Sequence, residues 1–543
     1  MKKAIVPLIA FLTLCQAQAQ VSLPRLVVWL TVEDLRTDYL ETLLPEMRED
    51  GLTKLIKGGV YYQQLKSPLA ESNVLSAMAM LQTGHTPADH HITHRYPTTI
   101  VGNGRERSRS VFYDDKYIGY ATNDKLSPLA LNVSTLGDKL KENWSGKSLV
   151  YAVGIQPEEA LVMGGRRADA SYWLDGNSGK WASTTYYKPA SHAVQNAVDQ
   201  YNNGTSSLNS RLSGLKWELL YNAYPTTYRH LPAKNKRGEI KLSVGFGSDV
   251  DAVRRFKASP MINEEIAMLT NVILRSSELG ADEIPDLLNV QLSVAHDHEE
   301  NPLLATQDAY FRLDKAVADI LRAVEYKLGY HKDQVVYMLS GTGVARDRES
   351  LRHSVGTFFT DRCKTLLNLY LNPKYGRAEW VLDVSDRGEV YLNLQAAKQY
   401  NVSVKDLEED AADFLREFSG IKDVVTSTQI KNGQLSSRQS YLYHHSVSKN
   451  RPQLLYSLLQ GWACGTENGR QRNASDHERV TAVASPLILV WRDIKTPEVI
   501  GDAISTLSVS SVLAYVLRIR PPNAEPDIPK QIPLLLHTNK KEK

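Results

Sequence analysis

The sequence predicts an α/β fold with a central, mostly parallel sheet flanked by helices and carrying two insertions. Residues 26–32, Leu-Val-Val-Trp-Leu-Thr-Val, are apolar on both faces, as a central parallel strand requires. Short apolar runs also alternate with helical patterns along most of the chain, which is typical of a parallel or mixed sheet.

The predicted elements follow one another in an order that supports this fold class. After the first strand, residues 38–57 are predicted to be helical, and a pair of glycines then turns the chain into a second strand. A helix over 72–82 begins at Ser72-Asn73, whose side chains are suited to an N-cap. The strongest later patterns predict strands at 148–153, 287–294, 335–340 and 487–491, and a helix at 307–326.

Two stretches interrupt this alternation. Residues 168–245 are rich in Tyr, Trp, Ser and Asn and are predicted to be a loop-rich insertion, and residues 366–450 are predicted to be a small α+β unit. We therefore expect one large domain over 20–525 that contains both insertions, followed by a flexible basic tail over 526–543. The elements predicted in the second insertion are strands at 380–382 and 389–392 and a helix at 404–418.

Composition excludes several classes of protein. Of the 543 residues, 42% are hydrophobic and 23% are charged, which is typical of a folded chain and excludes a disordered one. The formal net charge is +3, so the chain has no basic excess to attract nucleic acid, and we expect no nucleic-acid partner. The three cysteines form no CxxC pair, and a disulfide between Cys363 and Cys464 stays an open alternative to two free thiols.

Residues 1–19 are predicted to be a signal peptide. Two lysines precede an apolar run over 4–15, and Ala17-Gln18-Ala19 forms an A-x-A cleavage site. The apolar run is too short to span a bilayer, and no other run in the sequence is long enough. We therefore expect a periplasmic or secreted protein that is cleaved after Ala19 and has no transmembrane segment.

A series of short motifs, spread in order over nearly the whole chain, resembles one family of enzymes. The matching stretches are 27–28 with 36–40, Thr83-Gly84-His85-Thr86-Pro87 with His90, 164–165 with 170–173, 310–315, 343–345, 390–393 and 486–489. Together they resemble the alkaline phosphatase superfamily, specifically the type I phosphodiesterase/nucleotide pyrophosphatase branch and its exported bacterial alkaline phosphatases. The resemblance implies an alkaline-phosphatase-like fold and the hydrolysis of phosphate esters.

The resemblance also implies a particular active site. Enzymes of this family hold two zinc ions with Asp and His side chains, and a Thr or Ser at a helix N-terminus attacks the phosphorus. Their first ligand, an Asp at the end of the first strand, corresponds here to Glu33, with Asp34 beside it. A carboxylate is therefore kept at this position, but it is one methylene longer.

The position of the nucleophile is substituted. Counting back without gaps from Thr83-Gly84 places it at Val74, next to Asn73 at the predicted helix start. Valine has no nucleophilic atom. A slip of the alignment would offer Ser72 or Ser76, but these are also explained as a helix cap and an ordinary first-turn residue. The sequence therefore predicts no catalytic residue.

Most other metal positions are substituted as well. An Asp and a His of the family correspond to His296 and Glu300, which could bind zinc but lie in a dense polar loop. Gly341 and Thr342 replace the Asp and His of the family's Asp-His-Gly motif, and Ala484 replaces its final His. The candidate metal ligands are thus Glu33, His296 and Glu300, and we expect no cofactor unless these bind zinc.

The positions that hold the phosphate group in the family have changed too. Gln156 and Glu158 stand where the family has a Lys-x-Arg pair, and Glu158 would repel a phosphate group. A family Asn falls near Arg95, which keeps a positive charge in the area.

The sequence therefore predicts an exported protein of this superfamily that has lost two-zinc phosphoryl transfer. It would have a binding or structural role in the cell envelope, with an envelope protein or a small ligand as partner. One alternative is a metal-dependent phosphomonoesterase or phosphodiesterase with an atypical site of Glu33, His296 and Glu300. Another is a glycan-binding module that stacks a sugar on Tyr172-Trp173 and Tyr186-Tyr187.

Overall fold

The structure is a computed structural model that describes most of the chain between residues 23 and 532. The described residues are 23–69, 71–98, 100–101, 104–105, 109–189, 191–221, 228, 242–298, 300–346, 356–436, 439, 452–459, 461–466, 480–494, 496–523, 528–530 and 532. The predicted signal peptide over 1–19 and most of the predicted tail over 526–543 lie outside the described residues.

The first part of the chain confirms the strand predicted over 26–32 and corrects the helix predicted over 38–57. That segment is two helices, because Pro45 lies in a 3₁₀ turn at Leu44–Glu46 and cannot continue the α-helical hydrogen-bond ladder. The elements up to residue 164 are β1 (Leu26–Glu33), α1 (Thr37–Leu43), α2 (Leu52–Gly58), β2 (Val60–Lys66), β3 (Glu71–Ser72), α3 (Val74–Thr83), α4 (Pro87–His90), β4 (Ile100–Val101), β5 (Gly104–Arg105), β6 (Gly119–Tyr120), α5 (Leu136–Asn143), β7 (Val150–Gly154) and α6 (Pro157–Gly164).

The next part departs from the loop-rich insertion predicted over 168–245. Its first two strands belong to the central sheet, and Trp173 and Trp181 are each 1% exposed. These two tryptophans therefore lie in the core rather than in a surface loop. The elements from residue 170 to 293 are β8 (Ala170–Leu174), β9 (Trp181–Thr184), α7 (Ala193–Asn203), α8 (Leu208–Arg211), β10 (Lys216–Glu218), β11 (Ser243–Gly245), α9 (Ala252–Lys257), α10 (Ile262–Ser276) and β12 (Asp286–Ser293).

The last part contains a four-stranded sheet with its own hydrophobic core where residues 366–450 were predicted to form an α+β unit. One of its strands lies beyond residue 450, so the unit extends past the predicted boundary. The elements are α11 (Pro302–Leu328), β13 (Val335–Gly341), β14 (Val344–Arg346), β15 (Gly356–Phe359), α12 (Thr360–Tyr375), β16 (Val381–Val384), β17 (Glu389–Leu392), α13 (Leu394–Gln399), α14 (Val404–Arg416), β18 (Ile421–Thr426), α15 (Ser427–Lys431), β19 (Leu454–Leu458), β20 (Trp462–Gly465), β21 (Val480–Ala482), β22 (Ser485–Val490), β23 (Glu498–Ser505) and α16 (Val509–Leu517).

The central sheet has ten strands in the order β23-β2-β22-β13-β1-β12-β7-β8-β9-β6. Its middle, from β13 through β1, β12 and β7 to β8, is parallel, and antiparallel pairs join β22 to β13 and β9 to β8. Two hydrophobic clusters built from its strands and the flanking helices cover the sheet. The predicted α/β fold with a mostly parallel sheet is confirmed.

The carboxyl ends of three adjacent parallel strands lie side by side at one edge of this sheet. Glu33 of β1 pairs in register with Ser293 of β12, and Val32 pairs with Gly341 of β13. In open α/β sheets, ligands bind at this edge, so the residues that follow these strands form the candidate site. Within the part of the chain that the structure describes, no helix is both long and apolar enough to cross a membrane.

Candidate functional site

The N-terminus of α3 presents an aliphatic side chain at the predicted nucleophile position. Val74 is the first helical residue, and Asn73 is the N-cap, its side-chain oxygen accepting a hydrogen bond from the Ser76 N–H at 2.9 Å. The Ser76 side chain is fully buried, so its hydroxyl is not accessible to a substrate in solution. Ser72 lies in β3 and is not the helix cap that the sequence suggested. Of the candidates whose side chains the structure describes, Val74 has no nucleophilic atom and Ser76 is buried.

The Asp-His-Gly position of the family is closed by a neighbouring side chain. A Cβ atom added to Gly341 would lie 2.5 Å from the Cβ of Ser485, closer than two such atoms approach. The Ser485 hydroxyl donates to the Leu35 carbonyl at 2.7 Å and accepts from the Gly343 N–H at 3.2 Å. The packing therefore leaves no room for a ligand side chain at residue 341.

The two neighbouring positions supply no ligand either. The Thr342 hydroxyl is buried and donates to the Val344 carbonyl at 2.9 Å. Ala484 contributes only its backbone, with its carbonyl accepting from the Thr37 N–H at 3.0 Å. Both residues are therefore used in hydrogen bonds that hold the backbone near the strand ends.

His296 is engaged in its own loop. Its Nδ1 accepts the His298 N–H at 3.3 Å, and its Nε2 lies 2.9 Å from the Thr306 hydroxyl, which itself donates to the Pro302 carbonyl. Both ring nitrogens of His296 are therefore engaged in hydrogen bonds within this part of the chain. Glu300 is exposed to solvent. The structure thus does not support the predicted ligand role of this pair.

The carboxylates at the end of β1 are held by an arginine. The Arg346 guanidinium at the end of β14 lies 3.4 Å from Glu33, 3.7 Å from Asp34 and 3.1 Å from Asp297, measured between nitrogen and carboxylate oxygen. The Arg346 backbone N–H also donates to Asp34 at 2.6 Å. Asp34 has a φ of 65°, in the left-handed region that aspartate tolerates better than most residues. We refer to Glu33, Asp34, Asp297 and Arg346 as the Arg346 cluster.

Burial dominates the ionisation of Glu33 in this cluster. It raises the pKa of the Glu33 carboxyl to about 7, and the opposing attraction of Arg346 only partly offsets this increase. The neighbouring Asp34 and Glu159 carboxylates contribute smaller parts of this increase. The charge of Glu33 therefore depends first on its burial and then on the charged groups around it.

A second ion-pair group lies beside the first. Arg95 contacts Glu159 through a charged hydrogen bond and Glu158 at 3.3 Å, and both carboxylates are about 1% exposed. Burial lowers the pKa of Arg95, but Glu159 and Glu158 raise it more, so this arginine stays charged. Ser110 donates to Glu158 at 2.7 Å. The positive charge expected at Arg95 is therefore neutralised by two buried glutamates.

Gln156, at another position that holds the phosphate group in the family, is hydrogen-bonded to a lysine of the same chain. The Lys257 ammonium group at the end of α9 donates to the Gln156 side-chain oxygen at 2.7 Å and to the Leu174 carbonyl at 2.6 Å. Lys257 is 9% exposed, and burial lowers its pKa to about 8. Gln156 and Glu158 thus bind internal cations, whereas a phosphate-binding pair would present cations to a ligand.

These contacts test whether the chain fits the two zinc ions that the family implies. Two sites would need about six Asp or His ligands. Of the six corresponding positions, Gly341, Thr342 and Ala484 supply no ligand side chain. Glu33 is bound by an arginine, His296 is hydrogen-bonded through both ring nitrogens, and Glu300 is exposed to solvent. Within the described ranges, no group of three or more His, Cys, Asp or Glu side chains is arranged to hold a metal ion. The donor set does not fit two zinc ions.

The structure also bears on the predicted sugar-stacking aromatic residues and on the possible disulfide. Of the aromatic residues that could stack a sugar, Tyr172, Trp173 and Tyr187 are 7% exposed or less, so they offer no open face. Cys363 is buried and Cys464 is half-buried, and no disulfide joins these two described residues. Burial raises the pKa of the Cys363 thiol.

Sequence reasoning missed four residues that decide this site. Arg346 directly follows the 343–345 motif, and Asp297 lies between the candidate zinc ligands His296 and Glu300, so the position of both in the sequence was a signal. Ser485 also adjoins a motif, at 486–489, but its contact with Gly341 joins strands that are far apart in sequence. Lys257 adjoins no motif and reaches Gln156 from a distant element.

Comparison with solved structures shows the class of fold to which this chain belongs. It superposes on the crystal structure of wild-type alkaline phosphatase PafA with a TM-score of 0.75 and 18% identity, covering 94% of this chain and 99% of that one. The fold is therefore that of an alkaline phosphatase. The family model for type I phosphodiesterase / nucleotide pyrophosphatase matches residues 27–479, and the chain belongs to that family.

Characterised relatives are distant in sequence. The chain is 22% identical over 547 residues to a protein named calcium-transporting ATPase from Myroides odoratus, with 95% of each chain covered. It is 22% identical over 429 residues to alkaline phosphatase PafA from Elizabethkingia meningoseptica, covering 75% of this chain and 76% of that protein. Alkaline phosphatase PhoV from Synechococcus elongatus is 23% identical over 435 residues, with coverage of 76% and 75%.

Proposed function

We propose that this protein is an exported member of its family that has lost two-zinc phosphoryl transfer and has a binding or structural role in the cell envelope. The observation that carries the proposal is the closure of residue 341 by Ser485, which fills the space of a ligand side chain with a hydroxyl bonded to the backbone. The valine at residue 74 supports it independently, because an aliphatic side chain cannot attack phosphorus.

The internal ion pairs support the same proposal. Arg346 and Lys257 bind carboxylate and amide groups of the chain itself, and Arg95 binds two buried glutamates. A phosphate-ester substrate would have to displace these contacts and would meet Glu158 and Glu159 at short range. The site is therefore suited to holding the strand ends together and poorly suited to an anionic substrate.

The proposal is tested by measuring metal content and turnover on the same preparation. Zinc per mole of purified protein is measured together with hydrolysis of p-nitrophenyl phosphate, bis-p-nitrophenyl phosphate and ATP, the last because one relative is named an ATPase. Alkaline phosphatase PafA is the positive control. We expect no stoichiometric zinc and no turnover above background. Stoichiometric zinc with turnover that Glu33→Ala abolishes would instead support a metal-dependent phosphomonoesterase or phosphodiesterase.

Export is a separate part of the proposal. The signal peptide over 1–19 is supported by its two lysines, its apolar run and its A-x-A site. Expression of the full chain in a bacterial host, followed by fractionation and N-terminal sequencing, should give a periplasmic or secreted product that begins at Gln20. A cytoplasmic product that retains Met1 contradicts export.

A further inference from the structure

We propose that the Arg346 guanidinium takes the structural role of the family's metal ion. Its positive charge holds Glu33, Asp34 and Asp297 together without zinc. This inference rests on the proposed loss of two-zinc chemistry and deepens it. The Glu33 position corresponds to a zinc ligand of the family, and in this chain its carboxylate is in contact with an arginine of the same molecule.

Arg346 connects three separate segments of the chain. Glu33 is the last residue of β1 and Asp34 follows it, Asp297 lies in the loop after β12, and Arg346 is the last residue of β14. A single guanidinium group joins them at nitrogen–oxygen distances between 3.1 and 3.7 Å, and a backbone hydrogen bond to Asp34 at 2.6 Å fixes the end of β14 beside β1. A metal ion that shared ligands among these loops would connect the same elements.

The burial of these groups shows why a cation is needed at this point. The side chains of Arg346, Glu33 and Asp34 are 19%, 14% and 7% exposed, and only Asp297, at 51%, reaches the solvent. In a surface ion pair, by contrast, Arg254 and Asp251 are 63% and 52% exposed. Carboxylates this close repel one another and lose hydration on burial, so they need a counter-ion. Removing that counter-ion leaves buried charge unpaired, which destabilises a fold much more than loss of a surface pair.

Arginine is suited to this role because its guanidinium group carries a permanent charge and five N–H donors in one plane. It can therefore contact several carboxylates at once, as a divalent ion does. A zinc ion could bind Glu33 only if the Arg346 guanidinium moved away, because two cations at this distance repel each other. The chain should thus keep its stability when metals are removed.

The test compares the thermal unfolding midpoint of the full chain and its variants in buffer alone, with EDTA and with added zinc chloride. The key variant is Arg346→Met, which keeps the length of the side chain and removes its charge. The matched control is Arg254→Met, which removes a guanidinium from an exposed pair. A double variant, Arg346→Met with Glu33→Gln, removes one carboxylate together with the cation, and Arg346→Lys keeps the charge in case Arg346→Met fails to fold.

We expect the wild-type midpoint to be the same in all three buffers. Arg346→Met should lower it by several degrees, Arg254→Met should leave it nearly unchanged, and the double variant should regain part of the loss because fewer charges stay unpaired. Arg346→Lys should fold with a midpoint between those of wild type and Arg346→Met.

Two results overturn the inference. One is a wild-type midpoint that falls in EDTA or rises with one equivalent of zinc, and the other is an Arg346→Met midpoint no lower than that of Arg254→Met. Neither depends on turnover, so the inference and the proposed function fail separately. Metal-sensitive stability without turnover contradicts only the role of Arg346, and turnover with metal-insensitive stability contradicts the proposed function.

Discussion

The Cβ of Ser485 lies 2.5 Å from the place where a Cβ on Gly341 would stand, so these two residues exclude any side chain at position 341. The Ser485 hydroxyl completes the closure by bonding to the Leu35 carbonyl and the Gly343 N–H. The contact joins β13 to the start of β22, at the edge of the sheet where the candidate site lies. Substitution of a single residue is therefore insufficient to restore a family ligand here.

Replacing Gly341 by aspartate should destabilise the protein and fail to create a metal site. The new side chain would clash with Ser485 and place a carboxylate in a buried, closed space, at an expected loss on the order of 3 kcal/mol. The denaturant midpoint measures this loss. Combining Gly341→Asp with Ser485→Gly should recover part of it, and a single variant as stable as wild type would contradict the closure.

Replacing Val74 by threonine should leave hydrolysis of p-nitrophenyl phosphate at background. The substitution supplies the hydroxyl of the family nucleophile at the first residue of α3, but the positions of the metal ligands stay substituted. Threonine and valine are similar in shape, so the thermal midpoint should change little. Turnover that appears in this variant and depends on added zinc would show that the metal site is intact.

The stability of the protein should fall between about pH 4.5 and pH 7 because of Glu158. Burial raises the pKa of this carboxyl from 4.5 to about 7, although Arg95 lowers it. The folded state therefore holds the proton more tightly than the unfolded state, and the associated stability is present below pH 4.5 and lost as the pH rises through 7. One such group contributes at most about 1.4 kcal/mol per pH unit.

Denaturant unfolding at several pH values tests this dependence. Glu158→Gln should be nearly free of this contribution, so wild type should lose stability relative to the variant as the pH rises. Glu142→Gln is the matched control, because Glu142 is an exposed glutamate whose pKa is lowered by Lys139. If Glu158→Gln and wild type keep a constant difference over this range, the raised pKa of Glu158 is wrong.

Replacing Asn73 by alanine should destabilise the protein by about 1 kcal/mol. The Asn73 side chain caps α3 through the Ser76 N–H at 2.9 Å and also donates to the Thr93 carbonyl. Asn73→Asp keeps the acceptor and loses the donor, so it should fall between wild type and alanine in thermal midpoint. Equal midpoints for wild type and Asn73→Ala would show that the cap contributes nothing.

The sequence predicted the parallel core of the fold because its signals are local. The strand at Leu26–Glu33 is apolar on both faces, and the strands at 286–293 and 335–341 were each recognisable from a short window. Boundaries were less predictable. The aromatic residues at 170–184 were assigned to a loop-rich insertion, because whether they face the core depends on the neighbouring strands of the sheet.

At the candidate site, the sequence by itself determined which chemical groups are missing: valine at 74, glycine at 341 and alanine at 484 supply no ligand or nucleophile wherever they lie. Only the tertiary structure decided what replaces those groups. Ser485, Lys257 and Arg346 reach the edge of the sheet from segments far apart in the chain, and buried carboxylates bind whichever cation the fold brings within about 4 Å. Local patterns determine the strands, whereas long-range packing determines the counter-ions.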